Sequence, residues 1–223
     1  MLIDLHNHTW PRSHDSVLDP EDLVVRAKEL GLDGLCLTEH DTVWNPADVE
    51  ALAEKHSFLV IPGVEVSTDD GHILAYGVER YVFGMHRVGK LAEHVKERGG
   101  CLVVAHPYRR AIPWKDDPEA WERALERAVG NPAIPHCVAL EVLNGRGSER
   151  ENRFSLQMSE RLALPGTAGT DSHSTHDIGK VATYFESDRI ETWQDLVREL
   201  ESGRFCAVDM ATGREYAVPV RSV

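Results

Sequence analysis

Long hydrophobic runs are missing from these 223 residues. No apolar stretch approaches the roughly 18 residues of a membrane-spanning helix, so no membrane association is expected. The opening MLIDLHNHT has no basic region followed by an apolar core, so no secretory leader is expected either. Positive charge is scarce: 24 Lys and Arg stand against 37 Asp and Glu, a formal net charge of −13. Long nucleic acids are poor partners for such a chain, because they usually require clustered cations. Paired cysteines are lacking too. Cys36, Cys101, Cys137 and Cys206 form no CxxC and lie in or beside apolar runs. They read as buried free thiols in a reducing, cytoplasmic setting. No Ser- or Gly-rich linker and no internal repeat divides the chain, so residues 1–223 read as one domain. Nothing points to an obligate protein partner.

Short apolar runs alternate with longer amphipathic ones. The pattern predicts strands at 3–6, 34–38, 58–66 (interrupted by Pro62-Gly63), 73–78, 101–105, 138–143, 167–169, 181–185 and 205–209. Helices are predicted at 20–30, 46–56, 88–98, 118–129, 149–162 and 193–201. The first has Asp19 as its cap, Pro20 at its first position and Gly31 as its stop. Alternating β and α argues for a parallel sheet or barrel.

Histidine is in surplus, with 12 copies, and its placement is what matters. His6 and His8 follow the first predicted strand, and His40 and Asp41 the second. Glu65 ends the third and His106 ends the strand at 101–105. Glu141 and Asn144 end the next, and Asp171 and His173 follow the one at 167–169. In a (β/α) barrel these strand ends form one rim, where active sites lie. His6 and His8 are two apart in an extended segment and can grip one cation. Asp171 and His173 repeat that spacing. Glu65 ends an apolar strand, where an unpaired carboxylate would be costly to bury, so an Arg or a metal should neutralise it. His72 heads another apolar run. Imidazole and carboxylate ligands without thiolates suit Zn, Mn or Fe. The donors exceed one ion's needs, so two or three ions sharing a carboxylate fit better.

The motifs DLHNHT (4–9), SHDSVLDPEDLV (13–24), LTEHDT (37–42), GVEVS (63–67), GHILAYG (71–77), AHPYR (105–109), EVLNGR (141–146) and GTDSH (169–173) together resemble the PHP family, the polymerase and histidinol phosphatase superfamily. The resemblance implies a distorted (β/α)7 TIM-like barrel holding up to three divalent ions. It implies that His6, His8, Glu65 and Asp171 hold the first ion. Glu65 would bridge to a second ion, joined by His72 and His106. Asp15, His40 and His173 would hold the third. Two departures stand out. Ser16 takes the place of the family's usual Gly after Asp15, and Glu39 takes the place of the commoner Asp before His40.

Three divalent ions would outweigh Asp15, Glu65 and Asp171 by about three positive charges, which suits a phosphate dianion and a hydroxide. The expected activity is hydrolysis of a phosphomonoester of a nucleotide or small metabolite by a metal-bridging hydroxide. Glu65 is central to it, and Asp41 and His176 are candidate general acids. Arg109, Asn144 and Arg146 are candidate substrate contacts. Arg110, Trp10, Trp44 and Trp114 lie in the same predicted loops. The alternatives are a phosphodiesterase acting on nucleoside bisphosphates, cyclic phosphates or short oligonucleotides, an amidohydrolase, and a non-catalytic metal-stabilised module.

Overall fold

The structure is a computed structural model, and it describes residues 1–115 and 117–217. Its elements follow in chain order. They are β1 (Leu2–Asp4), α1 (Pro20–Glu29), β2 (Gly34–Leu37), α2 (Pro46–His56), β3 (Leu59–Thr68), β4 (Gly71–Tyr76), α3 (Val88–Glu97) and β5 (Cys101–Val104). Then come α4 (Pro118–Val129), β6 (Ala139–Asn144), α5 (Glu149–Leu162), β7 (Gly166–Gly169), β8 (Val181–Phe185), α6 (Trp193–Ser202), β9 (Phe205–Asp209) and β10 (Arg214–Tyr216).

Local chemistry accounts for the helix starts. Asp19, Asn45 and Asp117 each accept a backbone N–H of the first turn, and each is followed by Pro. Ser148 with Glu151 and Thr192 with Asp195 form reciprocal capping boxes. The strands β2, β5 and β6 are buried at every position. Such runs need cover on both faces, and alternation divides them. Cys36, Cys101 and Val103 join an apolar cluster with Leu5, Ile61, Tyr76 and Ala139, which also takes Leu196, Val197 and Leu200 of α6. Leu35 and Leu37 pack with Leu23, Val24 and Ala27 of α1 and with Val49 and Leu52 of α2. Leu102 and Val104 pack with Leu91 and Val95 of α3 and with Ala124 and Leu125 of α4.

All ten strands form one sheet in the order β10-β9-β8-β1-β2-β3-β4-β5-β6-β7. β1, β2 and β3 pair in parallel, as do β5, β6 and β7. The remaining pairings make the sheet mixed, with β8 antiparallel to both β1 and β9. β4 runs antiparallel to both β3 and β5, because only Asp69 and Asp70 separate Thr68 from its partner Gly71. A two-residue connection can only return antiparallel. The interruption expected at Pro62-Gly63 is absent as well. β3 passes straight through, with Pro62 opposite Leu37. A Cβ at Gly63 would come 3.0 Å from the Tyr76 ring, so glycine is what lets the neighbouring strand pack there. β10 has no apolar signal and was not foreseen; it pairs antiparallel with β9.

The sheet curls into a nearly closed barrel. At the seam, Thr183 Oγ1 of β8 donates to Ala168 O of β7 and accepts the Ala168 N–H, both at 2.9 Å. Beyond the strand ends, Asp171 N–H donates to His6 O at 2.8 Å and His8 N–H to Ser172 O at 3.0 Å. The continuation of β1 thereby pairs with the continuation of β7.

The seam generates a prediction. Thr183→Val keeps the side-chain shape but leaves the fully buried Ala168 amide unpaired in both directions. Its loss should lower unfolding stability by about 1–3 kcal/mol, measured as a drop in the urea midpoint without a change in slope. Thr183→Ser should recover most of the difference; a serine variant as unstable as the valine would count against the seam.

Candidate metal centre

The strand ends deliver their polar side chains to one point. Glu65, on the fully buried inward side of β3, lies at its middle. His72 Nδ1 and His106 Nε2 each lie 2.7 Å from Glu65 Oε1. Around Oε2 stand His40 Nδ1 at 3.0 Å, His8 Nε2 at 3.1 Å and His6 Nε2 at 3.4 Å. Despite that company, Oε2 makes no hydrogen bond of acceptable geometry. Asp171 Oδ1 lies 3.3 Å from His8 Nε2 and 3.6 Å from His6 Nε2, and those two nitrogens are 3.0 Å apart. Asp15 Oδ2 is 3.1 Å from both His40 Nε2 and His173 Nε2. All nine residues singled out from the sequence therefore meet.

Donor atoms of four overlapping triads lie within 4.8 Å of one another. These are His6-His8-Asp171, His6-Glu65-His106, His40-Glu65-His72 and His8-His40-His173. Imidazole nitrogens and carboxylate oxygens crowded around shared points are the donor set that a cation site requires. The cluster is deep on one side and open on the other. His6, His8, Glu65, His106 and Asp171 are buried, whereas the Asp15 side chain is 53% exposed.

Outer partners orient the rings. His6 Nδ1–H donates to Glu141 Oε1 at 3.0 Å, and His173 Nδ1–H donates to Asp171 O at 2.8 Å. His8 Nδ1 is held by Ser13 Oγ at 3.2 Å. In each ring Nε2 is left facing the cluster, its direction fixed by the bond that the other nitrogen makes. Glu141 had been placed only as a strand end. Like Glu65, Glu141 is a carboxylate in an apolar strand, ALEVLN, and that is the sequence signal for its role. Glu141 Oε2 also accepts the His106 N–H at 2.8 Å. Glu39, one of the two departures, is buried. It accepts Thr9 N–H, the Ser13 hydroxyl and Trp44 Nε1–H. Its extra methylene, relative to Asp, reaches the loop that carries Asp15.

The remaining candidates sit differently. Arg109 Nη2 donates to Asp171 Oδ2 at 2.6 Å and is thus tied to the cluster. Asn144, a candidate substrate contact, is buried: its amide donates to Glu141 Oε2 at 3.0 Å and Asp171 Oδ2 at 3.3 Å. That geometry makes it a spacer between two carboxylates. Arg146 and His176 are exposed. Asp41 Oδ1 accepts the Ser67 N–H at 2.9 Å. Trp44 packs under Arg12, whose guanidinium carbon is 4.5 Å from the ring centre. Trp10 and Trp114 are exposed. The backbone turns sharply at this mouth: Asp41, His106 and Asp171 have φ of 50°, 26° and 53°. Side chains other than Gly adopt such values rarely, and sites tend to collect them. Gly169 has no room for a side chain, since a Cβ there would lie 2.4 Å from His6 Cβ.

Electrostatics follow from this crowding. Burial would raise the Glu65 carboxyl, but His6, His106 and His40 overcome it and hold Glu65 well below the usual range. Asp171 is also held low, against burial, by His6 and His8. Burial opposes a charge on His6, yet Glu141, Glu65 and Asp171 push it well above 6.5. His40 is raised, against burial, by Glu65 and Asp15. Burial lowers His106 and His173.

These directions fix a pH dependence for the protein freed of metal by a chelator. A histidine raised in the fold stabilises below its unfolded value and loses that contribution as pH rises through the folded one. A lowered histidine has the opposite sign, its contribution growing as pH rises towards the ordinary value. Lowered carboxylates stabilise above their ordinary values and lose this only in strong acid. His6 and His40, both raised in the fold, therefore contribute stability that is lost as pH rises above 6.5. Melting temperatures of chelator-treated protein should fall as pH rises above 6.5, while metal-loaded protein stays nearly flat to pH 8. Parallel curves for the two forms would contradict the assignment.

The PHP domain model matches residues 4–125, and a PHP-associated model matches residues 149–205. A 5'-3' exoribonuclease of Haemophilus influenzae is 39% identical over 161 residues, covering 70% of this chain and 56% of its own. A 3',5'-nucleoside bisphosphate phosphatase of Chromobacterium violaceum is 31% identical over 134 residues, covering 54% of this chain and 46% of its own. The chain thus spans about half the length of these two relatives. Among solved structures, PsfC of Pseudomonas syringae superposes with a TM-score of 0.64 at 21% identity, over 95% of this chain and 92% of that one, a likeness of fold. With more than half of its residues matched by the PHP model and one converging site at the barrel mouth, the chain belongs to the PHP family of metal-dependent hydrolases.

Proposed function

We propose that this chain hydrolyses phosphomonoesters of a nucleotide or small metabolite at a centre of two or three divalent ions, Mn, Zn or Fe. The observation that carries this is Glu65 Oε2, buried, without a hydrogen bond and ringed by imidazole nitrogens. An isolated anion in such a place is untenable, and the surrounding donor set fits cations. In this reading His6, His8, Glu65 and Asp171 hold one ion. Glu65, His72 and His106 would hold a second. Asp15, His40 and His173 hold a third. Bound ions of this kind supply an activated water and electrostatic stabilisation of phosphoryl oxygens.

The chain's own residues do the rest. Glu141, Ser13 and the Asp171 carbonyl fix ring orientation at His6, His8 and His173. Arg109 neutralises the outer oxygen of Asp171 and lies where a guanidinium can also meet an incoming anion. Adding Glu141 and Arg109 to the charge count leaves the excess of about three positive charges unchanged. A dianionic ester is therefore attracted locally although the chain as a whole is acidic. Asp41 and His176 remain the candidates for protonating the leaving oxygen, and the exposed Arg146 a candidate contact at the rim. Phosphodiester hydrolysis is the second reading. It is supported by the exoribonuclease activity of the Haemophilus influenzae relative and by the open Asp15 side of the cluster. A purely structural module would not need the whole set of donors in place.

Elemental analysis should find at least two ions per chain, and a panel of nucleotides, bisphosphates and sugar phosphates should release phosphate. Chelation should abolish that release, and Mn, Zn or Fe should restore it. Glu65→Gln should lower kcat at least about a hundred-fold with an unchanged circular dichroism spectrum. Full activity in that variant would sink the proposal. The two acid candidates separate by pH profile: only the true acid, changed as His176→Ala or Asp41→Asn, should abolish the alkaline limb of kcat.

A further inference from the structure

Glu39 is a fully buried carboxylate one residue before His40, and it belongs to none of the four triads. Four neutral donors meet its oxygens. Trp44 Nε1–H reaches Oε1 at 2.8 Å, and Thr9 N–H reaches Oε2 at 2.9 Å and Oε1 at 3.1 Å. The hydroxyls of Thr9 and Ser13 complete the set, the first on Oε1 and the second on Oε2. Among the described residues Glu39 forms no ion pair. Burying a carboxylate is costly, and here hydrogen bonds offset that cost in place of a cation.

Ser13 carries a connection from Glu39 to the cluster. Its hydroxyl has one proton to give and two lone pairs with which to accept. The proton goes to Glu39 Oε2. One lone pair accepts the His40 N–H at 3.3 Å. Only a lone pair is left for His8 Nδ1 at 3.2 Å, so that nitrogen must carry the hydrogen. A neutral imidazole has one ring proton, and with it on Nδ1 the Nε2 atom is bare. That atom faces the cluster, 3.1 Å from Glu65 Oε2 and 3.3 Å from Asp171 Oδ1. His6 and His173 reach their orienting oxygens directly, at Glu141 and at the Asp171 carbonyl. Of the three rings, His8 alone is held through a hydroxyl, and a hydroxyl can turn round. The group behind it decides which way it points.

We propose that Glu39 is a positioning residue for the metal centre: through Ser13 it holds His8 in the Nδ1–H tautomer, which leaves Nε2 free for a cation. This rests on the reading of the cluster as a site for divalent ions. Replacing Glu39 by glutamine keeps the shape and reverses the bonds. Trp44 Nε1–H can only donate and reaches Oε1, so the amide oxygen takes that place, where Thr9 N–H still reaches it. The amide NH2 then faces Ser13 and donates to its oxygen. The hydroxyl proton turns to His8 Nδ1, and His8 carries its own proton on Nε2. That proton points at the cluster and has to be displaced before a cation binds.

The experiment uses zinc alone as the probe. Wild type, Glu39→Gln, Ser13→Ala and the double variant are compared for zinc content and for zinc affinity by chelator competition. Long-range proton–nitrogen correlation spectra of the chelator-treated proteins at about pH 8.5, where an ordinary imidazole is neutral, report which His8 nitrogen is protonated. The His8 signals are assigned by their loss in His8→Asn. Wild type should show Nδ1–H, and Glu39→Gln should show Nε2–H. Both single variants should bind zinc about ten- to a hundred-fold more weakly. The double variant should be no weaker than Ser13→Ala, because Glu39 acts through that hydroxyl. A wild type protonated at Nε2 overturns the proposal, even where a variant fails to fold. So does a Glu39→Gln protein that keeps the wild-type tautomer and affinity, or a double variant whose losses add; in those cases the metal reading stands. A wild type that takes up no zinc removes the metal reading and the proposal with it.

Discussion

A carboxylate taken out of water must find compensating charge, and in this protein Glu65 imposes that demand on everything around it. It sits on the inward side of a buried strand, where a lone anion would be untenable. Five imidazoles come within 3.4 Å of its oxygens, from four separate segments of the chain. Two of those rings are oriented from outside, His6 by Glu141 and His8 by Ser13, and the Asp171 carbonyl does the same for His173. Each of these partners has its own requirement. Asn144 separates Glu141 from Asp171, and Arg109 neutralises Asp171. The centre is thus a nested set of charge compensations, and cations complete it.

The barrel is the device that makes the compensation possible. Six parallel strands send their carboxyl ends to one rim, so residues far apart in the chain meet. A buried polar network locks the first rim segment to the last. Asp4 accepts from the His6 and Thr170 amides, and Thr170 and Ser172 link through their hydroxyls to Asn7. Burial raises the Asp4 carboxyl to about 6, although hydrogen bonds from Thr170 and His6 oppose it. Closure therefore depends on polar contacts at the mouth as well as on the Thr183 seam. The left-handed backbone at His106 and Asp171 marks where the chain leaves regular β geometry to aim a side chain inward.

Much of this was legible beforehand, for definite reasons. Caps and prolines marked the helix starts because their chemistry is local. Apolar runs marked the strands because both faces are covered. Seven of the nine converging residues were legible because a strand end in an α/β barrel has one direction to point; His72 heads an apolar run, and Asp15, in the loop after β1, came only from the family resemblance. Strand direction at β4 was less legible, since it depends on how short the Asp69-Asp70 turn is. Asn144 was read as a possible substrate contact because its position near the rim is visible in sequence and its burial is not. The roles of Glu141 and Glu39 emerged only with their partners, which lie as much as 135 residues away in the chain.

What the sequence determined by itself was therefore the inventory: which strand ends carry imidazole and carboxylate, and the motif order that identifies the family. What the tertiary structure decided was distance and solvent access. It put Asp15 within 3.1 Å of His40 and His173, tied Arg109 to Asp171, buried Asn144 and opened a cavity beside His72 and His106. Local signals cannot encode these outcomes. They arise when a curled sheet brings separate segments to one rim, where each charge is set by neighbours that the linear chain keeps apart.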